Sequence, residues 1–190
     1  MLVTLAAVLA ILLILLGYGV VLYNNLVSLK HAVGKAWANI EVLLKQRHDE
    51  LPKLVETCKR YMQFEQETLE RVMRARSAVA AASAKGDVAA VGAAEGQLRL
   101  GLGNLFAVAE AYPELKSNES FQHLESRITG LENSIADRRE FYNEAVNLNN
   151  VRIEQFPDLI LARWFGFGPG QLLEFEAVET ADPDVKALFA

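Results

Sequence analysis

His31, His48 and His123, the single Cys58 and twenty-four carboxylates are the side chains of this 190-residue chain that would most readily build metal or nucleophilic chemistry. A di-iron bundle site needs Glu-x-x-His pairs on two helices. The residues three positions before the histidines are Ser28, Lys45 and Ser120, and none is acidic. The His-Glu-x-x-His pattern of zinc proteases is absent. Cys58 stands on the apolar stripe of a helix, where a buried structural thiol is expected. No Gly-x-Ser-x-Gly elbow or phosphate-binding loop occurs, and Gly166-x-Gly168 follows no strand. Arg47, His48 and Asp49 are neighbours in sequence, and neighbours on a helix point in different directions. They read as a helix end, with basic groups favoured by its C-terminal dipole. No catalytic residues, cofactor or metal are expected.

Some polar residues stand where apolar ones belong. Arg138 falls on the stripe of a late helix and needs a carboxylate partner if buried. Glu65 falls on an earlier stripe, and Glu110 and Glu132 are the other candidate partners. These four residues suit a buried ion pair that fixes helix register; the alternative is a ligand-binding or proton-handling site.

The elements that would position them are helical. Leu26, Val33, Trp37, Ile40 and Leu44 recur at helical spacing. Asp49-Glu50-Leu51-Pro52 reads as a kink or restart, with Asp49 as cap. A second stripe runs from Leu51 through Leu54, Val55, Cys58, Tyr61, Met62, Leu69, Val72 and Met73 to Val79, supported by Glu67–Arg71 and Glu70–Arg74 pairs. Gly86-Asp87 reads as a turn and N-cap. A third helix spans Val88 to Ala111 despite four glycines, with Gly92 and Gly96 expected to face the Ala-rich end of the second helix. Pro113 stops it. Ser120 is the expected cap of a fourth helix, which runs to Phe156 before Pro157. Leu173 to Val178 suits a short extended segment. The tail is expected to lie along the bundle through Phe165, Phe167, Phe175 and Phe189; the alternative is a disordered acidic tail. The fold expected is all-α: a transmembrane helix (1–23), an antiparallel bundle of about four long helices (24–157) and a packed C-terminal tail (158–190).

The first twenty-nine residues carry no charge, and Leu2 to Leu22 is almost wholly apolar. At about 1.5 Å per residue such a run covers a hydrocarbon core of about 30 Å. No Lys or Arg precedes it, and it is too long for a signal-peptide core. A retained anchor is therefore expected rather than a cleaved signal. Lys30, Lys35, Lys45 and Arg47 follow it, which predicts the N-terminus outside and the body in the cytoplasm. Tyr18 and Tyr23 fit an interfacial aromatic girdle at that end. With no breaker between Tyr23 and Asp49, the membrane helix should run on into the first amphipathic one. A continuous helix of about 45 residues would be ~70 Å long. A net charge of −5 with interleaved signs argues against a nucleic-acid partner. One cysteine cannot form an internal disulfide, which is compatible with a reducing compartment.

Several segments together resemble the LemA family. They are Tyr23-Asn24-x-Leu26-Val27, Ala36-Trp37-x-x-Ile40, Arg47-His48-Asp49-x-Leu51-Pro52-x-Leu54-Val55-Glu56-Thr57, Ala75-Arg76, Ala109-Glu110-Ala111-Tyr112-Pro113-x-Leu115-Lys116, Arg139-x-x-Tyr142-Asn143-x-x-Val146 and Phe156-Pro157 with Ala162 and Gly166-Phe167. The resemblance implies a bacterial, non-enzymatic membrane protein with one N-terminal transmembrane helix and a bundle of long helices. Phe64-Glu65 departs from the family's usual His-Glu, and Leu148-Asn149 from its Tyr-Asn. Members often occur beside membrane proteases, which implies such a protease as a partner.

The function expected is a membrane-anchored scaffold in the bacterial inner membrane that self-associates into an ordered homo-oligomer. Lateral packing of anchors, helped by Ala6-x-x-x-Ala10, and docking of the aromatic tail on a neighbour would build it. The alternative is an adaptor or regulator working with a membrane protease or another membrane protein. Partners are thus membrane lipid and further copies of the chain.

Overall fold

A computed structural model describes residues 1–175. Among them the chain is all-α, with four long and two short helices and no strand. They are α1 (Leu2–Lys59), α2 (Gln66–Lys85), α3 (Val88–Ala109), α4 (Pro113–Lys116), α5 (Glu119–Glu154) and α6 (Asp158–Phe165). The chain groups into two compact units, each containing part of α1 and part of α5.

One unit comprises Met1–Ile40 and Arg138–Leu172. Along the polar part of α1, Leu26 packs with Ile153 of α5 and Ala162 of α6. Eleven residues further on, Trp37 meets Tyr142, whose ring lies 5.4 Å away and eleven residues before Ile153. The two helices are therefore antiparallel in a constant register. After α6 the chain is extended, and its backbone polar groups are met by side chains of α5. The Asn150 amide both donates to the Gly170 carbonyl (3.0 Å) and accepts from the Gly170 N–H (2.7 Å). Asn149 donates to the Gly168 carbonyl at 3.3 Å, and the Tyr142 hydroxyl to the Gln171 carbonyl at 2.8 Å. Phe167 is half-buried against the Leu26 cluster.

The other unit comprises residues 41–137 with 173–175 of the described chain. Its first feature corrects the sequence expectation. Helix α1 does not restart at Asp49–Pro52 but continues through Pro52 to Lys59. Proline lacks an N–H, so the His48 carbonyl, four residues earlier, loses its helical donor. Arg76 of α2 replaces it, donating from Nε at 2.9 Å. The break comes instead at residues 60–65, which contain no Gly or Pro. Local hydrogen bonds from the Tyr61 and Met62 N–H groups to the Cys58 carbonyl close α1 there. Tertiary bonds hold the turn, with Asn118 donating to the Tyr61 hydroxyl at 3.2 Å and the Tyr112 hydroxyl to Glu65 at 3.4 Å.

α2 and α3 form a helical hairpin. Gly86, in the left-handed region at φ 65°, closes α2, and the Asp87 side chain accepts from the Ala90 N–H at 3.0 Å. Gly101 lies against Val72 of α2, its position for a Cβ 3.4 Å from Val72 Cγ2. Gly92 does not face α2 as expected. The carbonyl of Glu174 occupies the space its Cβ would take, so this glycine admits the extended chain, and Leu173 beside it is buried. Asn118, not Ser120, caps α5, accepting from the Phe121 N–H at 3.0 Å. The part of the extended segment expected at residues 176–178, and Phe189, lie outside the described residues.

Candidate functional site

The most unusual chemistry of the described residues is a cluster of charges inside the second unit. Along α1 the stripe Ile40, Leu44 continues three residues later to Arg47 and four later to Leu51. Arg47 therefore takes a core position and is only 1% exposed. On α3 the stripe Val91, Leu98, Leu102 has Glu95 in its missing step, also 1% exposed. On α5, Glu132 precedes the buried Ile135 by three residues. The Arg47 guanidinium is bonded to Glu95 through Nη2 and to Glu132 through Nη1. Arg99 Nε lies 3.6 Å from the second Glu132 oxygen.

The electrostatics follow from burial. Desolvation pulls the Arg47 pKa down, but the fields and hydrogen bonds of Glu95 and Glu132 outweigh it, and the net shift is upward. Arg47 stays charged. Burial pushes the Glu95 carboxyl above the ordinary carboxylate range, opposed in part by Arg47. One Glu95 oxygen, Oε2, and Arg47 Nε have no hydrogen-bond partner among the described residues. Such a group ties α1, α3 and α5 to one register, because a slip would strand a charge in the core. Arg47 and Glu95 are closed to solvent, while Glu132 and Arg99 are partly exposed.

A shell of polar contacts surrounds this region of the unit. Glu50, 8% exposed, accepts from Lys53 Nζ and forms an ion pair with Arg127 Nε, each at 3.1 Å. Arg76 bonds the His48 carbonyl, and its Nη2 lies 2.6 Å from His48 Nε2. Arginine can only donate, so Nε2 accepts and the imidazole is neutral, with its proton on Nδ1. Burial and the Arg76 charge lower the His48 pKa, with Asp49 partly opposing.

Of the four polar residues expected inside the fold, Glu132 joins the cluster. Glu65 is half-buried and accepts the Tyr112 hydroxyl. Glu110 is exposed and paired with Lys116. Arg138 is exposed, its guanidinium 5.7 Å from the centre of the Phe141 ring. The core cation is thus Arg47, which the sequence suggested as a helix end; α1 runs on for three more turns beyond it, so no C-terminal dipole acts there. The signal was available: Arg47 and Glu95 each fill a gap in an otherwise regular apolar stripe. Tyr18 is exposed on α1, and Tyr23 packs edge-on against the Phe165 and Phe167 rings.

Cys58 is fully buried, and burial pushes its thiol up to about 12, far from a reactive thiolate. Among the described residues no three His, Cys, Asp or Glu side chains are grouped to hold a metal ion. Among the described residues α1 alone is long and apolar enough to cross a membrane, and the large apolar side chains from Leu2 to Val21 are uncovered, Leu22 being the first that is buried.

Helical over most of its described residues, with an uncovered apolar N-terminal helix and its buried charges spent on one another, this is a membrane-associated helical protein with a candidate N-terminal transmembrane helix. The chain belongs to the LemA family, whose model matches residues 36–187. It is also similar to bacterial proteins named for the magnetosome. Magnetosome protein MamQ 2 and magnetosome protein MamQ 1 of Paramagnetospirillum magneticum are each 38% identical to it over 74 residues. Magnetosome protein MamQ of Magnetospirillum gryphiswaldense is 34% identical over 74 residues. In each case the match covers 39% of this chain and 27% of the relative, so it spans about a quarter of the curated relatives' length.

Proposed function

We propose that this protein is a non-catalytic, membrane-anchored scaffold that self-associates into an ordered homo-oligomer. The observation that carries the reading is α1, whose uncovered residues 2–21 and buried Arg47 belong to one unbroken helix. A side chain such as Leu9 or Leu13, more than half exposed, needs lipid or another apolar helix against it. Small residues at Ala6 and Ala10 let a second copy approach closely. The charged groups of the core support a structural role, since they neutralise one another rather than face a cleft. The family and the relatives' names support a membrane protein without catalysis of its own.

The chain would sit in the bacterial inner membrane, with Lys30 and Lys35 on the cytoplasmic side and the N-terminus outside. Imaging full-length protein extracted in mild detergent tests the assembly. Particles built from repeated copies are expected. Isolated single copies would overturn the scaffold, and a one-to-one complex with a membrane protease would replace it with an adaptor role.

A further inference from the structure

Helix α6 has apolar residues on two opposite sides. Ala162 is buried against Leu26 and Ile153, and Asp158, on the same side, is held by Arg152 Nε at 2.8 Å. At about 100° per residue, Ile160 and Trp164 project from the other side. They are 54% and 80% exposed. Phe156, just before the helix, is 80% exposed, and Phe165, next to Trp164, 57%. A short helix whose second apolar side is uncovered needs something apolar against it.

Its position in the unit identifies that cover. Ala162 packs at the level of Leu26, and the Phe165 and Phe167 rings lie 4.8 Å and 5.8 Å from the ring of Tyr23. Tyr23 directly follows the apolar run Leu2 to Leu22, and Leu26 is about one helical turn, ~6 Å, beyond that run's end. The headgroup layer of a bilayer is ~5–8 Å thick on each side. A helix fixed beside residues 23–26 therefore lies at headgroup depth, where Trp side chains concentrate. The exposed Arg163 of the same helix and Lys30 of α1 suit lipid phosphates.

We infer that the outer side of α6, with Ile160 and Trp164 at its centre and the exposed Phe156 just before the helix, is an interfacial membrane-binding surface whose partner is the lipid leaflet that α1 enters. It rests on the reading that residues 2–22 span the bilayer. α6 then gives the protein a second contact with lipid beside the anchor.

The test places the full chain in phosphatidylcholine–phosphatidylglycerol vesicles and follows Trp164 fluorescence, taken as the difference between wild type and W164F and, independently, from the single-tryptophan variant W37F. Flotation after an alkaline wash is scored first. Loss of the protein from the vesicles would remove the spanning reading and this inference with it. With the protein retained, Trp164 should be quenched several-fold more by lipids brominated near the headgroup than by aqueous iodide. Ready iodide quenching with no bromolipid effect would overturn the inference while leaving the anchor intact. Protection from both quenchers would overturn it too, in favour of a second copy of the chain.

Discussion

Arg76 Nε donates to the carbonyl oxygen of His48 at 2.9 Å, which is the carbonyl that Pro52 deprives of its helical partner. One residue of α2 thereby allows a proline to stand inside α1. The bond predicts a coupled pair of substitutions. Arg76→Ala leaves the carbonyl without its donor and should cost about 1–3 kcal/mol. Placing Ala at position 52 restores an N–H beneath His48, so the same Arg76→Ala change in a Pro52→Ala background should cost distinctly less. Denaturation midpoints of the four variants in detergent give the coupling directly.

The same contact sets a pH dependence. His48 has a folded pKa below its ordinary 6.5, from burial first and the Arg76 charge second. The unfolded chain therefore binds the proton more readily. Stability from this group is fully present above about pH 6.5 and is lost as pH falls toward the folded value. His48→Gln keeps an acceptor for Arg76 but cannot titrate. Its midpoint should fall less than that of wild type between about pH 7 and pH 5.

The Arg47 cluster makes a stronger prediction. Arg47→Met strands Glu95 in the core and should cost about 3–5 kcal/mol, while adding Glu95→Leu should recover most of that loss. Glu95 also titrates in the opposite sense to His48. Its folded pKa is raised, so its contribution is full below about pH 4.5 and is lost as pH rises through the folded value. Glu95→Gln should flatten that part of the pH profile. Urea denaturation across pH tests both.

Two glycines of α3 should respond with opposite signs. Gly103 has open space around its missing Cβ, so Gly103→Ala should stabilise by up to about 1 kcal/mol. Gly92→Ala drives a methyl into the Glu174 carbonyl, a backbone atom that cannot swing away, and should cost about 1–3 kcal/mol. Thermal midpoints compare them, and faster proteolysis after residue 170 in the Gly92 variant would report release of the extended segment.

The all-α class, the uncharged apolar helix, the buried Cys58 and the third and fourth helices were legible because each rests on local periodicity or composition. The first break was not. Pro52 is a local signal for interruption, and a residue 24 positions later cancels it; the actual turn at residues 60–65 has no local breaker and is held by Asn118 and Tyr112. The ion cluster was half legible. Glu132 stood out, but Arg47 was hidden by the expected helix end, and Glu95 by a stripe counted only through its apolar members. Gly92 signalled close approach correctly, yet its neighbour is the backbone at Glu174, far along the chain.

Self-association is tested most directly by mass. Full-length protein released with its native lipid, without detergent, would be weighed particle by particle over a dilution series. A scaffold predicts one defined multiple of the 21.0 kDa chain that persists on dilution. A single chain in every particle at every concentration would contradict it.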